Sequence, residues 1–471
     1  MVTKTVFKQI RGFVIAWLVI SALVCMATFL AVYFTYNPQE LDLASGNPLP
    51  LEEPEAAERE EETLVLPSAS PEQTFEPTPE NAISPAAANA AAGDINAAAT
   101  ALPTPLPVES KRYQVGIQVE QSLDFSDENQ DNFYRSVTAD LGLRWIKQQV
   151  RWEAMETQPG EIDWRALDFI LQSAQRFEVK LLLSVVTAPD WAREPGALLS
   201  REGPPADPHT YADFVAAIVK RYPGRVHAIE VWNEQNIDHG WTSIHGLNAA
   251  NYVDLLRTTY EVVKEIDPGI IIISGGLAPT GISDGLTAFD DFTYLQQSID
   301  AGVLNWADCI GAHHNGYNIG PDHRYDQIPD DAEAVFRGPF ENPHPSWSFR
   351  STLEGYANTI RLAGKSTKLC VTEFGWASAE DLEGARTGVE FVLDNTLAEQ
   401  AEWISGALSN MEDWGFVWLA FIWNFNYGPH AGYDFNNDNV PYSLIGPGFK
   451  FRPAFDAIRN WQQDYLARAG H

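Results

Sequence analysis

From Tyr113 to the C-terminus, short apolar runs alternate with longer stretches in which apolar residues return every three or four positions. The short runs are rich in Val, Ile and Leu and have the length of buried strands. The longer ones, such as YADFVAAIVKRYPG (211–224) and ANYVDLLRTTYEVVKEIDPG (250–269), have the period of helices lying on a core. Strands are expected to end near Val119, Val150, Val186, Glu234, Gly275, His314, Glu373 and Trp423. Apolar strands separated by amphipathic helices predict a parallel sheet covered on both faces, and eight such units are the number that closes a barrel. The expected fold is therefore α/β, a (β/α)8 TIM barrel over residues 112–471. A doubly wound open sheet is the other way to arrange such units, and no G-x-G-x-x-G loop favours it.

Upstream the pattern is different. Residues 12–34 (GFVIAWLVISALVCMATFLAVYF) run for 23 positions without a charge. As a helix that segment would extend about 35 Å, enough to cross a bilayer. Lys4, Lys8 and Arg11 precede it, while Glu40 and Asp42 follow, so the positive-inside rule puts residues 1–11 in the cytoplasm and the rest outside. A cleaved signal peptide would have a shorter apolar region and a small-x-small site after it, and none follows Phe34. Residues 35–111 are acidic, then Pro-rich, then Ala-rich, a composition that buries too little apolar surface to order itself. They are expected to form a disordered linker between a single-pass membrane helix and an extracellular barrel.

The net charge of −33 belongs to the barrel as well, since residues 112–471 hold 50 acids against 26 bases. A phosphate-binding surface needs a basic patch, so nucleic acid is excluded as a partner. Three cysteines cannot make a disulfide framework. Cys25 lies in the apolar segment, and Cys309 and Cys370, in expected strands, read as small buried hydrophobes.

Two strand ends carry the candidate chemistry. HAIEVWNEQN (227–236) delivers Glu234 to the C-terminal end of strand four, and KLCVTEFGW (368–376) delivers Glu373 to the end of strand seven. Barrel active sites are built on that rim, and an unpaired buried carboxylate is expensive without a reason to be there. Retaining glycosidases need two carboxyl groups about 5–5.5 Å apart, one an acid and the other a nucleophile. Trp191, Trp232, Trp376 and Trp423 stand at or just past strand ends and are candidate platforms for sugar rings, Trp423 foremost. Trp152 and Trp164 read as core packing, and His314 as structural.

These motifs carry a resemblance. Residues 113–461 are similar to the clan of retaining (β/α)8 glycoside hydrolases that includes β-xylosidases and cellulases, nearest in appearance to the β-xylosidase/α-L-iduronidase family. VWNEQN resembles the clan's strand-four signature and TEFGW its strand-seven signature. RWEAMETQPGEIDW (151–164), APDWA (188–192), RYPGRVHAIEVWNE (221–234) and YSLIGPGFKFRPAFDAI (442–458) extend the likeness over most of the domain. The resemblance implies that Glu234 is the acid/base, Glu373 the nucleophile, and Asn233 the partner of the substrate's 2-hydroxyl. It places His313 in the site and aligns Lys147 where many relatives carry Arg. Where a His-Pro-Tyr-Gly run is common, this chain reads His313, His314, Asn315, Gly316, Tyr317, so the aromatic has either moved to Tyr317 or been lost. Gln235 stands where Pro is frequent.

Two other motifs are set aside. GISDG (281–285) has the spacing of a nucleophile elbow but lacks the strand directly before Ser283. DFNNDN (434–439) begins like a calcium loop but lacks the glycine at its sixth position and the glutamate at its twelfth. The expectation is a monomeric glycosidase, without cofactor or metal, that cleaves β-O-glycosidic bonds of oligo- or polysaccharides. The rival is a membrane-tethered carbohydrate-binding or scaffold protein on the same barrel.

Overall fold

The computed structural model describes residues 111–120, 127–383 and 390–468. Eight strands alternate with eight principal helices. They are β1 (Gln114–Gln118), α1 (Asp127–Arg135), β2 (Trp145–Arg151), α2 (Arg165–Arg176), β3 (Lys180–Val186), α3 (Pro208–Arg221), β4 (Ala228–Val231) and α4 (Ala249–Ile266). The second half continues with β5 (Ile271–Ser274), α5 (Asp291–Asp300), β6 (Ile310–Gly316), α6 (Phe349–Leu362), β7 (Leu369–Trp376), α7 (Leu397–Trp414), β8 (Val417–Ile422) and α8 (Pro453–Arg468). No strand ends more than three residues from its expected position.

The strands pair in the order β5–β4–β3–β2–β1–β8–β7–β6, each pair parallel. Two isolated parallel bridges, Ile273 to Cys309 and Leu277 to Ala312, bring β5 against β6 and close the barrel. Every residue of β4, β5, β7 and β8 is buried, because helices cover one face and the barrel interior the other. The helices start where the sequence supplies caps. Asp207 accepts the His209 N–H ahead of Pro208 in α3, and Thr396 and Glu399 form a capping box on α7, which ends at Gly415 in the left-handed region (φ 68°).

The barrel interior is layered. Towards the N-terminal ends of the strands, Trp145, Leu182, Ala228, Ile273, Trp418 and Phe421 form an apolar plug. Cys309 and Cys370 sit in that plug and are bonded to each other, with Cα atoms 5.7 Å apart. This corrects the reading of both as free thiols: β6 and β7 are neighbours, and their register brings the two sulfurs together.

The expected membrane helix (12–34) and all of the linker (35–111) except Lys111 lie outside the described residues. Among the described residues no helix is long and apolar enough to cross a membrane. Lys111 itself packs on the barrel, donating from Nζ to the Asp308 carbonyl at 2.9 Å.

Candidate active site

Alternate residues of a strand share a face, so the positions two beyond the apolar plug also point inward. β2 places Lys147 there, two residues past Trp145, and β4 places Glu230 two past Ala228. Lys147 Nζ lies 3.1 Å from Glu230 Oε2 and 2.9 Å from Glu373 Oε1, and all three side chains are buried. Burial alone would push the Lys147 ammonium down, but Glu230 and Glu373 outweigh it and hold the group above its ordinary value. Burial would likewise raise Glu230, yet Lys147 and His313 keep it at about 2. Glu373 is held below its ordinary value, again against burial, by His313 and Lys147.

β6 supplies His313, fully buried, with Nδ1 3.0 Å from Glu234 Oε1 and 3.8 Å from Glu373 Oε2. Its Nε2 lies 3.7 Å from Glu230 Oε1. Burial would keep the ring neutral; Glu373, Glu230 and Glu234 around it raise it to about 10, so it is an imidazolium at neutral pH. Gly276 makes the space, since a Cβ there would come within 2.4 Å of His313 Nε2. Asn315, two residues on, donates from Nδ2 to Glu373 Oε2 at 3.3 Å.

Glu373 reaches this group because β7 is irregular. Its pairing shifts against β6 between Ala312 and His313, and against β8 between Val371 and Phe374. Such a bulge lets successive residues turn to one face. The Thr372 hydroxyl approaches Glu230 while the Glu373 carboxylate, the next residue, meets Lys147.

Glu234 follows β4 on a tight turn. Trp232 and Glu234 both have positive φ (75° and 50°), a region sparsely used by residues with a Cβ and often found at functional sites. The turn is held by the Glu234 N–H to the Gly276 carbonyl at 2.9 Å. It also requires Gly240, where a Cβ would meet the Glu234 carbonyl oxygen at 2.8 Å. The Glu234 carboxyl is 26% exposed against 9% for Glu373. It borders a cavity of about 500 Å3 that Asn315, Tyr317, Trp423 and Tyr442 also line.

The structure thus gathers Glu234, Glu373, His313 and Lys147 in one cluster, with Tyr317 and Trp423 on the adjoining cavity. The Oδ1 of Asn233, the residue before Glu234, is buried without a hydrogen-bond partner among the described residues. Lys147, expected to bind substrate, is instead fully buried and anchors Glu373. Three aromatic candidates sit elsewhere. Trp232 is 1% exposed, wedged against Tyr211 and Trp241, with its indole N–H on the Gly240 carbonyl. Trp376 is wholly buried against Phe349, its N–H on the Ile319 carbonyl. Neither has a face for a sugar ring. Trp191 packs edge-on against Trp152 and donates to the Glu156 carbonyl, away from the cavity lining. His314 is buried between Tyr317 and Phe349 and is pushed down to about 4 by burial. Among the described residues no group of three or more His, Cys, Asp or Glu is arranged to hold a metal ion.

No protein-family model matches the chain, and no curated protein does. Solved structures match by shape. A family 39 glycoside hydrolase from Bacteroides cellulosilyticus WH2 aligns at 20% identity over 75% of this chain and 64% of its own, with a TM-score of 0.52. The exo-β-1,4-mannosidase Op5Man5 from Opitutaceae bacterium strain TAV5 aligns at 16% identity over 76% and 60%, with a TM-score of 0.51. Xylanase 10B from Thermotoga maritima aligns at 15% over 76% and 98%, with a TM-score of 0.50. The fold shared with these proteins is the (β/α)8 barrel. At these identities the likeness is one of fold, and this chain spans less than two thirds of the first two proteins.

Several members of the site were not read from the sequence. Glu230 is the main one, and its signal was present: a carboxylate inside an apolar strand needs a buried partner, and Lys147 in β2 is the matching cation. Glu120, two residues past β1, adds a third rim carboxyl. It accepts from Gln118 Nε2 at 3.0 Å and is raised above its ordinary value, by burial first, with the Glu373 charge adding to the effect. Phe336, Trp347 and Phe391, which line the cavity, come from long connections where no periodicity marks them.

Proposed function

We propose that this chain is a retaining β-glycosidase, with Glu373 as nucleophile and Glu234 as acid/base. The observation that carries the reading is His313 Nδ1, 3.0 Å from one carboxylate and 3.8 Å from the other. The two oxygens are no farther apart than the sum of those distances. That ceiling reaches only the lower edge of the ~6.5–9.5 Å span of inverting enzymes and accommodates the ~5–5.5 Å of retaining ones.

Charge divides the labour. His313 and Lys147 hold Glu373 ionised, as a nucleophile must be, while Glu234, more exposed at 26% against 9%, borders the cavity that would take the leaving group. Glu373, ionised and held by Lys147 and Asn315, attacks the anomeric carbon as Glu234 gives its proton to the departing oxygen. The resulting ester is cleaved by water that Glu234 deprotonates, which frees Glu373 and returns the proton to Glu234. Asn233, with its unpaired buried Oδ1, is the group we assign to a sugar hydroxyl, and Trp423 and Tyr317 to ring contact. We further place the barrel outside the cell, anchored by residues 12–34. The charge asymmetry about that segment supports this, as does the Cys309–Cys370 disulfide, a bond that persists in oxidising compartments.

The test is Glu234→Ala on an activated aryl β-glycoside whose leaving group needs no proton. The ester should accumulate, and azide should restore turnover with a β-glycosyl azide as product. An α-configured sugar from the unmodified enzyme, or azide without effect, would sink the assignment.

A further inference from the structure

We infer that the leaving-group side of the site is built for an apolar aglycone, so that the substrate is a β-glycoside of an alkyl or aryl alcohol and not an oligosaccharide; this rests on the glycosidase reading above. The acid/base must touch the departing oxygen, so the aglycone lies against the wall that carries Glu234. That wall is apolar. Ile237 follows Glu234 in the same turn, its N–H on the Glu234 carbonyl at 3.1 Å. Asn236 then pins the segment after β5 to this turn, accepting the Ala278 N–H at 2.9 Å and donating to the Ala278 carbonyl at 2.8 Å. From there Ala278, Pro279 and Ile282 line the cavity with Ile237. The one hydroxyl among them, on Thr280, is committed to the Phe289 carbonyl at 3.0 Å.

A second wall is aromatic. Tyr317 stacks on Phe336 at 5.6 Å and meets Trp347 edge-on at 4.7 Å, and Phe391 packs against both Tyr317 and Phe336. Asp394 clips this wall together, accepting the Val335 and Phe336 N–H groups and the Asn318 amide. The charged lining groups other than Glu234 are Glu390 and Asp438, on the connections after β7 and β8. A sugar leaving group carries several hydroxyls, each needing a partner when water is stripped away, and these two walls offer few.

Large apolar residues also stand exposed on the same connections. Ile282 (53% exposed), Leu286 (80%), Val335 (57%) and Leu393 (52%) stand in solvent on the connections after β5, β6 and β7 that build the two walls. Of the ten large hydrophobic residues exposed among the described residues, only Leu362 lies off the connections at the C-terminal rim. Exposed apolar residues on the same connections that wall the cavity suit an aglycone chain longer than one ring.

The test uses the full chain. The glycone is the fastest member of a 4-nitrophenyl β-glycoside panel, and its methyl, n-octyl and disaccharide derivatives are compared below their micelle concentrations. Each buried methylene multiplies affinity by about fourfold, so with roughly half of the added chain buried octyl should exceed methyl in kcat/KM by roughly 100-fold and exceed the disaccharide too. The double substitution Leu286→Asp/Val335→Asp, at exposed positions, should compress the octyl-to-methyl ratio by about tenfold. A disaccharide preferred over octyl overturns the inference and leaves the glycosidase reading intact. If no glycoside turns over, that reading fails, and tryptophan fluorescence titrated with n-octyl β-D-glucoside decides the inference. Saturable binding weakened by the double substitution upholds it; no saturable binding overturns it. A dodecyl glycoside in phosphatidylcholine vesicles separates the sources: faster turnover there than of dispersed octyl glycoside assigns a membrane lipid, slower turnover a soluble alcohol.

Discussion

Within one barrel interior, two layers a single strand step apart use opposite chemistry. The plug is Trp, Leu, Ala and a disulfide; the layer above is Lys147, Glu230, His313 and Glu373. Trp145 and Lys147 share a strand face, as do Ala228 and Glu230, so about 7 Å of rise separates dry packing from four ionised groups. The plug gains stability from apolar area removed from water. The upper layer gains little net stability, because desolvating ion pairs offsets most of their attraction. What it gains is geometry: each charge is held by two or more neighbours, and the two carboxylates of the proposed reaction share one imidazolium.

The comparison breaks most sharply at Lys147. Lys147→Met keeps the bulk but strands Glu230 and Glu373 without their cation, and truncating one partner of a buried pair costs about 3–5 kcal/mol. Urea unfolding should show a loss of that size, shrinking as pH is lowered and the two carboxyls take up protons. Turnover should fall with it, since Glu373 would no longer be held ionised. Stability unchanged at neutral pH would mean that the layer is hydrated and not dry.

The plug should respond in the opposite sense. Cys309→Ala/Cys370→Ala opens a link across 61 residues, which costs about 2–4 kcal/mol. Thermal midpoint should drop while kcat per folded molecule stays near that of the unmodified protein, because neither sulfur touches the charged layer. A matching loss of kcat would show that the layers are mechanically coupled.

The smallest effect is a slope. His313 is raised from 6.5 to about 10, so its contribution is fully present below pH 6.5 and is lost as pH rises through about 10. Glu230, lowered from 4.5 to about 2, contributes above pH 4.5 and is lost as pH falls through about 2. Stability measured against pH should therefore decline on the alkaline side, by no more than about 1.4 kcal/mol per pH unit for one proton. His313→Gln should flatten that decline between pH 6.5 and 10 and leave the acid side in place. An unchanged alkaline slope would move the titration to another group.

The same two layers show what the sequence could and could not disclose. The plug and strands were legible because burial on both faces forces continuous apolar runs, and both carboxylates were legible because polar residues at strand ends interrupt them. The ion-pair layer was not, since Lys147 and Glu230 belong to strands separated by β3, and their pairing depends on barrel curvature. The bulge in β7 was equally hidden. Strict alternation from Cys370 through Thr372 would turn Glu373 outward, and only the shifted register brings it in. Trp232 and Trp376 misled because a tryptophan after a strand faces the helices as readily as the mouth. The disulfide went unread for a similar reason, as two cysteines 61 positions apart say nothing about strand adjacency.

The closure between β5 and β6 has its own consequence. Seven seams of the barrel are ladders, two of them carrying the register shifts of β7, while this one rests on two isolated bridges, with Asp308 N–H on the Ile272 carbonyl at 2.8 Å and Ser274 N–H on the Cys309 carbonyl at 3.4 Å. Sub-global opening starts where the fewest hydrogen bonds must break, so amide protons along this line should exchange with solvent ahead of those on every other strand. The disulfide binds β6 to β7, and an opening there would carry the two strands away as a unit. Gly276 and His313 stand on opposite sides of the same line. The imidazolium that joins the carboxylates is therefore also a latch on the seam, and a ligand gripping both sides would slow the breathing of the whole cylinder.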